Sequence, residues 1–225
     1  MENQCVVLLH GLGRSPFAMW GLERYLSRQG YNVINLGYPS RRHGIAELCQ
    51  TLMHDVIERV PGARAGAESP QVHFVTHSLG GILLRYGLQY WNAPNLRLGR
   101  AVMLAPPSQG SEVVDVLRYV PFLDKVMGPA FLELGTDQGS VPQRLLAMEG
   151  KSWPMEVGVI AGSSSYEPWF SPLFEGDNDG KVSVARSRHP AMSDFRVFQV
   201  GHTFIMNNKR VRHNISYFLQ HGCFV

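Results

Sequence analysis

Short, continuously apolar runs alternate with stretches of helical periodicity along the chain, and that alternation restricts the fold more than any other feature. Cys5 to Leu9 (CVVLL) has no polar position, as a strand covered on both faces requires. Asn32 to Leu36, Val72 to Val75, Ala101 to Leu104, Met155 to Ile160 and Phe195 to Val200 supply five more candidate strands. After the first strand, Ser15-Pro16 offers a helix N-cap with proline at the first helical position, and Gly30 ends that helix. Ile45, Leu48, Leu52 and Val56 recur at helical spacing until Pro61-Gly62. Another helix starts at Leu79 and runs to about Tyr90. Val211, Ile215, Phe218 and Leu219 form the inner face of a last helix, stopped by Gly222. About six mostly parallel strands with helices on both faces are therefore expected.

One stretch breaks the alternation. Between 108 and 154 no strand is legible, yet Val113, Val116, Leu117, Val120, Leu123 and Val126 crowd together with Phe131, Leu132 and Leu134. Pro121, Gly128-Pro129, Gly135 and Pro142 cut this segment into short helices or turns. It reads as an insertion after the fourth strand of one domain spanning 1–225, a length that one core accommodates.

Composition excludes several classes. Twenty-one basic against 18 acidic residues leave +3, too small and too scattered an excess for a nucleic-acid surface, and Arg41-Arg42 reads as a solvated loop. Cys5, Cys49 and Cys223 lack metal-ligand spacing, and the first two read as small core residues. A calcium-loop reading of Asp177-Asn178-Asp179-Gly180 fails because Arg186 falls where a bidentate carboxylate is required. No metal or other cofactor is expected. With no basic leader and no 18-residue apolar run, no transmembrane segment is expected, and the chain is placed in the cytoplasm.

The chemistry concentrates at strand ends. The third strand runs into Thr76-His77-Ser78-Leu79-Gly80-Gly81 and then a helix. A serine on so sharp a turn projects its hydroxyl from the sheet edge, with the Leu79 N–H facing any oxyanion formed by attack. Gly80 and Gly81 keep the strand–helix crossing free of bulk. The first strand ends in His10-Gly11-Leu12-Gly13, where Gly11 lets the backbone pass close to the serine and the Leu12 N–H becomes a second oxyanion donor. His10 supports that loop, and His77 shapes the pocket rather than reacting. Taken alone, the first of these segments also reads as a plain Ser-Gly turn opening a helix, and the second as a plain strand-to-helix turn.

With Asn178-Asp179-Gly180-Lys181-Val182 and Gly201-His202, these segments resemble the α/β-hydrolase superfamily, and within it the bacterial lipases and esterases. The resemblance spans nearly the whole chain and has the superfamily's order of serine, acid, histidine. It implies a compact α/β-hydrolase fold with Ser78 as nucleophile, His202 as base and Asp179 as the acid that orients it. Asp177, two residues away, competes for the last role. One position departs from the pattern: Thr76 stands where the family carries its first elbow glycine. Pro107-Ser108-Gln109-Gly110-Ser111 also resembles a lipase turn, and the insertion after it reads as a cap over an acyl pocket or as simple packing against the body. The implied activity is hydrolysis of a small-molecule or lipid-like ester. Acyl transfer by the same residues, and a silent fold that only binds ligands, are the alternatives.

Overall fold

In the computed structural model, residues 4–62, 70–90, 96–148, 153–165 and 168–225 are described. They form a sheet of six parallel strands: β1 (Gln4–Leu9), β2 (Asn32–Leu36), β3 (Gln71–His77), β4 (Arg97–Leu104), β5 (Glu156–Gly162) and β6 (Asp194–Phe198). The spatial order is β2-β1-β3-β4-β5-β6. β3 therefore lies inside the sheet, with Leu9 of β1 in register with Thr76 and Met103 of β4 on its other side.

The apolar runs are continuous because both faces are covered. Along β1, Cys5, Val7 and Leu9 enter one core while Val6 and Leu8 enter the other. The first core is closed by α2 (Ile45–Arg59) and α3 (Leu79–Tyr90), which contribute Leu48, Leu52 and Ile82. The second is closed by α1 (Trp20–Arg28) and the last helix (Lys209–His221), with Leu22, Leu26, Ile215 and Phe218 at its centre. Cys5 and Cys49 are buried among these side chains.

Several element ends differ from the sequence pattern. The helix expected to open at Ser15-Pro16 begins as a 3-10 turn over Pro16–Met19, and the Ser15 side chain forms no cap bond. β4 starts at Arg97, four residues before its apolar run, because Arg97 and Leu98 pair with Gln71 and Val72 of β3. β6 stops at Phe198, and its Arg196 and Val197 are exposed because it forms the sheet edge.

Between β4 and β5 stand α4 (Glu112–Leu117), α5 (Leu123–Met127), α6 (Pro129–Leu132) and α7 (Val141–Met148). This insertion is tied down by polar contacts. Glu133 accepts the Ile45 N–H at 2.6 Å, at the first turn of α2, where free amides and the helix dipole favour an anion. The Arg186 guanidinium meets Glu112 at 2.8 Å, and Gln143 donates to the Gln109 carbonyl at 2.8 Å. Among the described residues, no helix is long and apolar enough to cross a membrane.

Candidate active site

Ser78 sits between the last residue of β3 and the first of α3 with φ of 52°, in the left-handed region that a side chain seldom occupies. The bend is held from both sides. The Ser78 N–H donates to the Leu104 carbonyl at 2.9 Å, and the Gly81 N–H donates to the Ser78 carbonyl at 2.9 Å. A Cβ on Gly80 would lie 2.7 Å from the Leu9 carbonyl oxygen, so the start of α3 crosses β1 only with glycine there. Thr76 is fully buried, and its Oγ1 has no hydrogen-bond partner. Space for its extra atoms comes from Gly81, whose Cβ position is 3.3 Å from that oxygen.

His202 follows β6, and its Nδ1 lies 2.8 Å from Asp179 Oδ2. The other oxygen of Asp179 accepts two backbone amides, from Lys181 at 3.0 Å and Val182 at 2.9 Å. A tight bend thus fixes the buried carboxylate, while the His202 N–H adds a bond to the Asp179 carbonyl at 3.0 Å. The anion facing Nδ1 keeps the proton on that nitrogen and leaves Nε2 as an acceptor. Asp177 is exposed, and only its backbone carbonyl is engaged there, by the Val184 N–H.

Ser78, His77 and His202 line one cavity of about 270 Å³. Ser78 and His202 make no direct hydrogen bond in this conformation; such bonds commonly tighten only around substrate. His77 donates from Nε2 to the His202 carbonyl at 3.0 Å. Its Nδ1 is buried without a partner. Burial foremost, and then the neighbouring His202, hold its pKa well below 6.5, so His77 is a neutral clamp on the His202 backbone.

His10 is pinned to Tyr38. Their rings stack at 4.1 Å, the Tyr38 hydroxyl donates to the His10 carbonyl, and His10 Nδ1 donates to the Gly11 carbonyl at 2.9 Å. The Gly13 N–H donates to Ser40 Oγ at 2.9 Å. The 10–13 loop is thereby fixed by the turn after β2. Its Leu12 lines the cavity, and the Leu12 N–H has no hydrogen-bond partner among the described residues. Leu79, as the first residue of α3, has an N–H without an intrahelical partner.

Val113, Val114, Met127, Phe131 and Leu134 of the insertion form an apolar wall of the cavity. Ser111 faces it too, its hydroxyl donating to the Lys181 carbonyl at 2.7 Å. Arg14, Arg41 and Thr203 also line it; Arg14 and Thr203 were not singled out by motif or periodicity. Arg41 is exposed, as the reading of Arg41-Arg42 as a solvated loop expects, and its side chain also packs over Gly13, with Nη2 2.6 Å from the point a Cβ would occupy.

This fold and constellation define a class, and comparison with known proteins places the chain in it. Residues 6–206 match the model of the alpha/beta hydrolase family, and the chain belongs to that family. Among solved structures, it is similar to the mature lipase of Bacillus licheniformis, with TM-score 0.67 and 19% identity over 98% of this chain and 91% of the lipase. A metagenomic carboxyl esterase gives TM-score 0.66 and 19% identity over 89% of this chain and 64% of the esterase. A phospholipase of Legionella pneumophila gives TM-score 0.66 and 19% identity over 82% of this chain, which spans only 45% of the phospholipase. A search of the curated proteins found no match.

Proposed function

We propose that the protein is a serine hydrolase of carboxylic esters. The observation that carries this reading is the bonded pair of His202 and buried Asp179 beside a Ser78 bent into a positive φ, both histidine and serine facing one cavity. In the proposed reaction, Ser78 Oγ attacks the acyl carbonyl carbon while His202 Nε2 takes the hydroxyl proton. The oxyanion accepts from the Leu12 and Leu79 amides, each such donor contributing about 3 kcal/mol. The intermediate collapses, the C–O bond to the alcohol breaks, and His202 gives its proton to the departing oxygen. Water then attacks the acyl-serine, His202 again taking the proton, and the acid leaves with Ser78 restored. Asp179 holds the imidazole tautomer and stabilises the imidazolium.

The apolar wall of the insertion serves the acyl chain. At about 270 Å³ the cavity is near the small end of ligand pockets, which favours short or medium chains. The lipase, esterase and phospholipase among the similar structures agree with an ester or lipid-like substrate.

The test is labelling by a fluorophosphonate probe together with turnover of nitrophenyl esters. Native protein is expected to react in both assays. Ser78→Ala is expected to lose labelling and at least about 10⁴-fold in kcat with an unchanged melting temperature. Full activity in Ser78→Ala would refute the assignment, and esters formed with added alcohols would mark an acyltransferase.

A further inference from the structure

The cavity around Ser78 is chemically lopsided. Arg14 and Arg41 reach its wall, and among the described residues no aspartate or glutamate does; Lys181 lines it as well, with its ammonium over the Phe170 ring. Arg14 and Arg41 meet no carboxylate among the described residues. Arg14 instead donates to the Thr203 carbonyl at 2.9 Å and lies 5.7 Å from the Phe204 ring centre. Arg41 belongs to the exposed turn after β2, yet its guanidinium is drawn over the 10–13 loop. It lies there because Gly13, at φ +65°, has no side chain to displace it. Asp179 makes no ion pair with either, its oxygens being bonded to the Lys181 and Val182 amides and to His202. His77 is neutral in its burial. Two guanidinium groups on the wall of a concave site favour an anion among its contents, and a guanidinium matches the oxygens of a carboxylate or phosphate.

The two chemistries of the wall occupy different sides. Apolar residues of the insertion, Val113 and Val114 of α4 and Phe131 of α6 among them, face the cavity. Arg14 is bonded to Thr203, the residue directly after His202, which in the proposed reaction protonates the departing alcohol. A second cavity, of about 490 Å³, has Arg14 and Thr203 in its own wall together with Phe17, Trp20 and Phe204. Arg14 thus borders both cavities, beside the residue that follows the proposed general acid His202.

From this we infer that the preferred substrate is an ester whose alcohol half carries an oxyanion, a phosphate or a carboxylate, held by Arg14 and Arg41, with an uncharged acyl chain against the insertion. The inference rests on the hydrolase reading above and adds the substrate class to it.

Four esters matched in acyl chain length test it: octanoyl-glycerol, octanoyl-glycerol 3-phosphate, octanoyl-glycerate, and the glycerol monoester of suberate, the eight-carbon diacid, whose charge lies in the acyl half. The phosphate or glycerate ester is expected to exceed octanoyl-glycerol in kcat/KM by roughly tenfold, mainly through KM, with the advantage shrinking as salt is added. Which of the two leads identifies the anion. The ratio is expected to fall to about twofold or less in Arg14→Gln and Arg41→Gln, while Arg41→Lys keeps part of it.

Equal kcat/KM for charged and neutral esters overturns the inference, as does an unchanged ratio in both glutamine variants or a preference for the suberate ester. In those cases Ser78-dependent cleavage of the neutral ester leaves the hydrolase reading standing. Cleavage of none of the four overturns the inference, and failure of the fluorophosphonate to label Ser78 then overturns the hydrolase reading as well.

Discussion

Gly11 shows how little freedom the site allows at the level of single atoms. A Cβ there would lie 2.8 Å from His77 Nδ1 and 3.2 Å from the Ser78 Cβ. Gly11→Ala is expected to push the 10–13 loop off the elbow, lowering kcat by about 10–100-fold for roughly 1–3 kcal/mol of stability. Ester kinetics and thermal melts measure the two losses separately, and a fall in stability with kcat unchanged would show the loop to be only structural. The two acidic candidates separate in the same way. Asp179→Asn removes the anion that sets the His202 tautomer and is expected to cost about 10⁴ in kcat, whereas Asp177→Asn is expected to have little effect. Motifs at strand ends made Ser78, Asp179 and His202 legible, because a fold of alternating strands and helices gathers those ends along one edge. The places of Tyr38 and Arg14 were not legible, because they depend on contacts such as the His10–Tyr38 stack and the Arg14 bond to the Thr203 carbonyl, which no local pattern encodes.

At the scale of elements, the insertion is the part whose sequence said least. Its apolar residues announced packing, but the prolines and glycines hid where the helices fall and what they rest on. The structure answers with side-chain bonds to distant elements, Glu133 to the start of α2 and Glu112 to Arg186. Glu133→Ala strips the first turn of α2 of its anion and is expected to cost about 1 kcal/mol. Limited proteolysis should then cut more readily between α4 and α6, and an unaltered digest would show the tie to be dispensable. Strands were more legible than helix ends. Burial on both faces writes β1 as an unbroken apolar run, whereas the 3-10 entry to α1 depends on how the chain leaves β1.

Across the whole molecule, buried imidazoles link stability to pH. His73 accepts the Arg100 N–H at Nδ1 over 2.9 Å, so protonation there breaks a bond. Burial first, then the Arg100 charge, bring its pKa down to about 4, and burial also lowers His10 and His77. The folded state binds fewer protons than the unfolded chain over this window, so stability is lost as pH falls from about 6.5 towards 4. His73 alone contributes about 3 kcal/mol to that loss. Melting temperature followed from pH 7 to 4 should drop steeply in this range and less so in His73→Asn; parallel curves would refute the linkage. The bend at Ser78 has a consequence of the same breadth. It exists only while β1 presses its Leu9 carbonyl toward Gly80 and β4 offers the Leu104 carbonyl, so three strands distant in sequence must be in place together. If Ser78 takes a covalent probe, the fraction labelled in a mixture is a census of correctly assembled molecules, readable without purification.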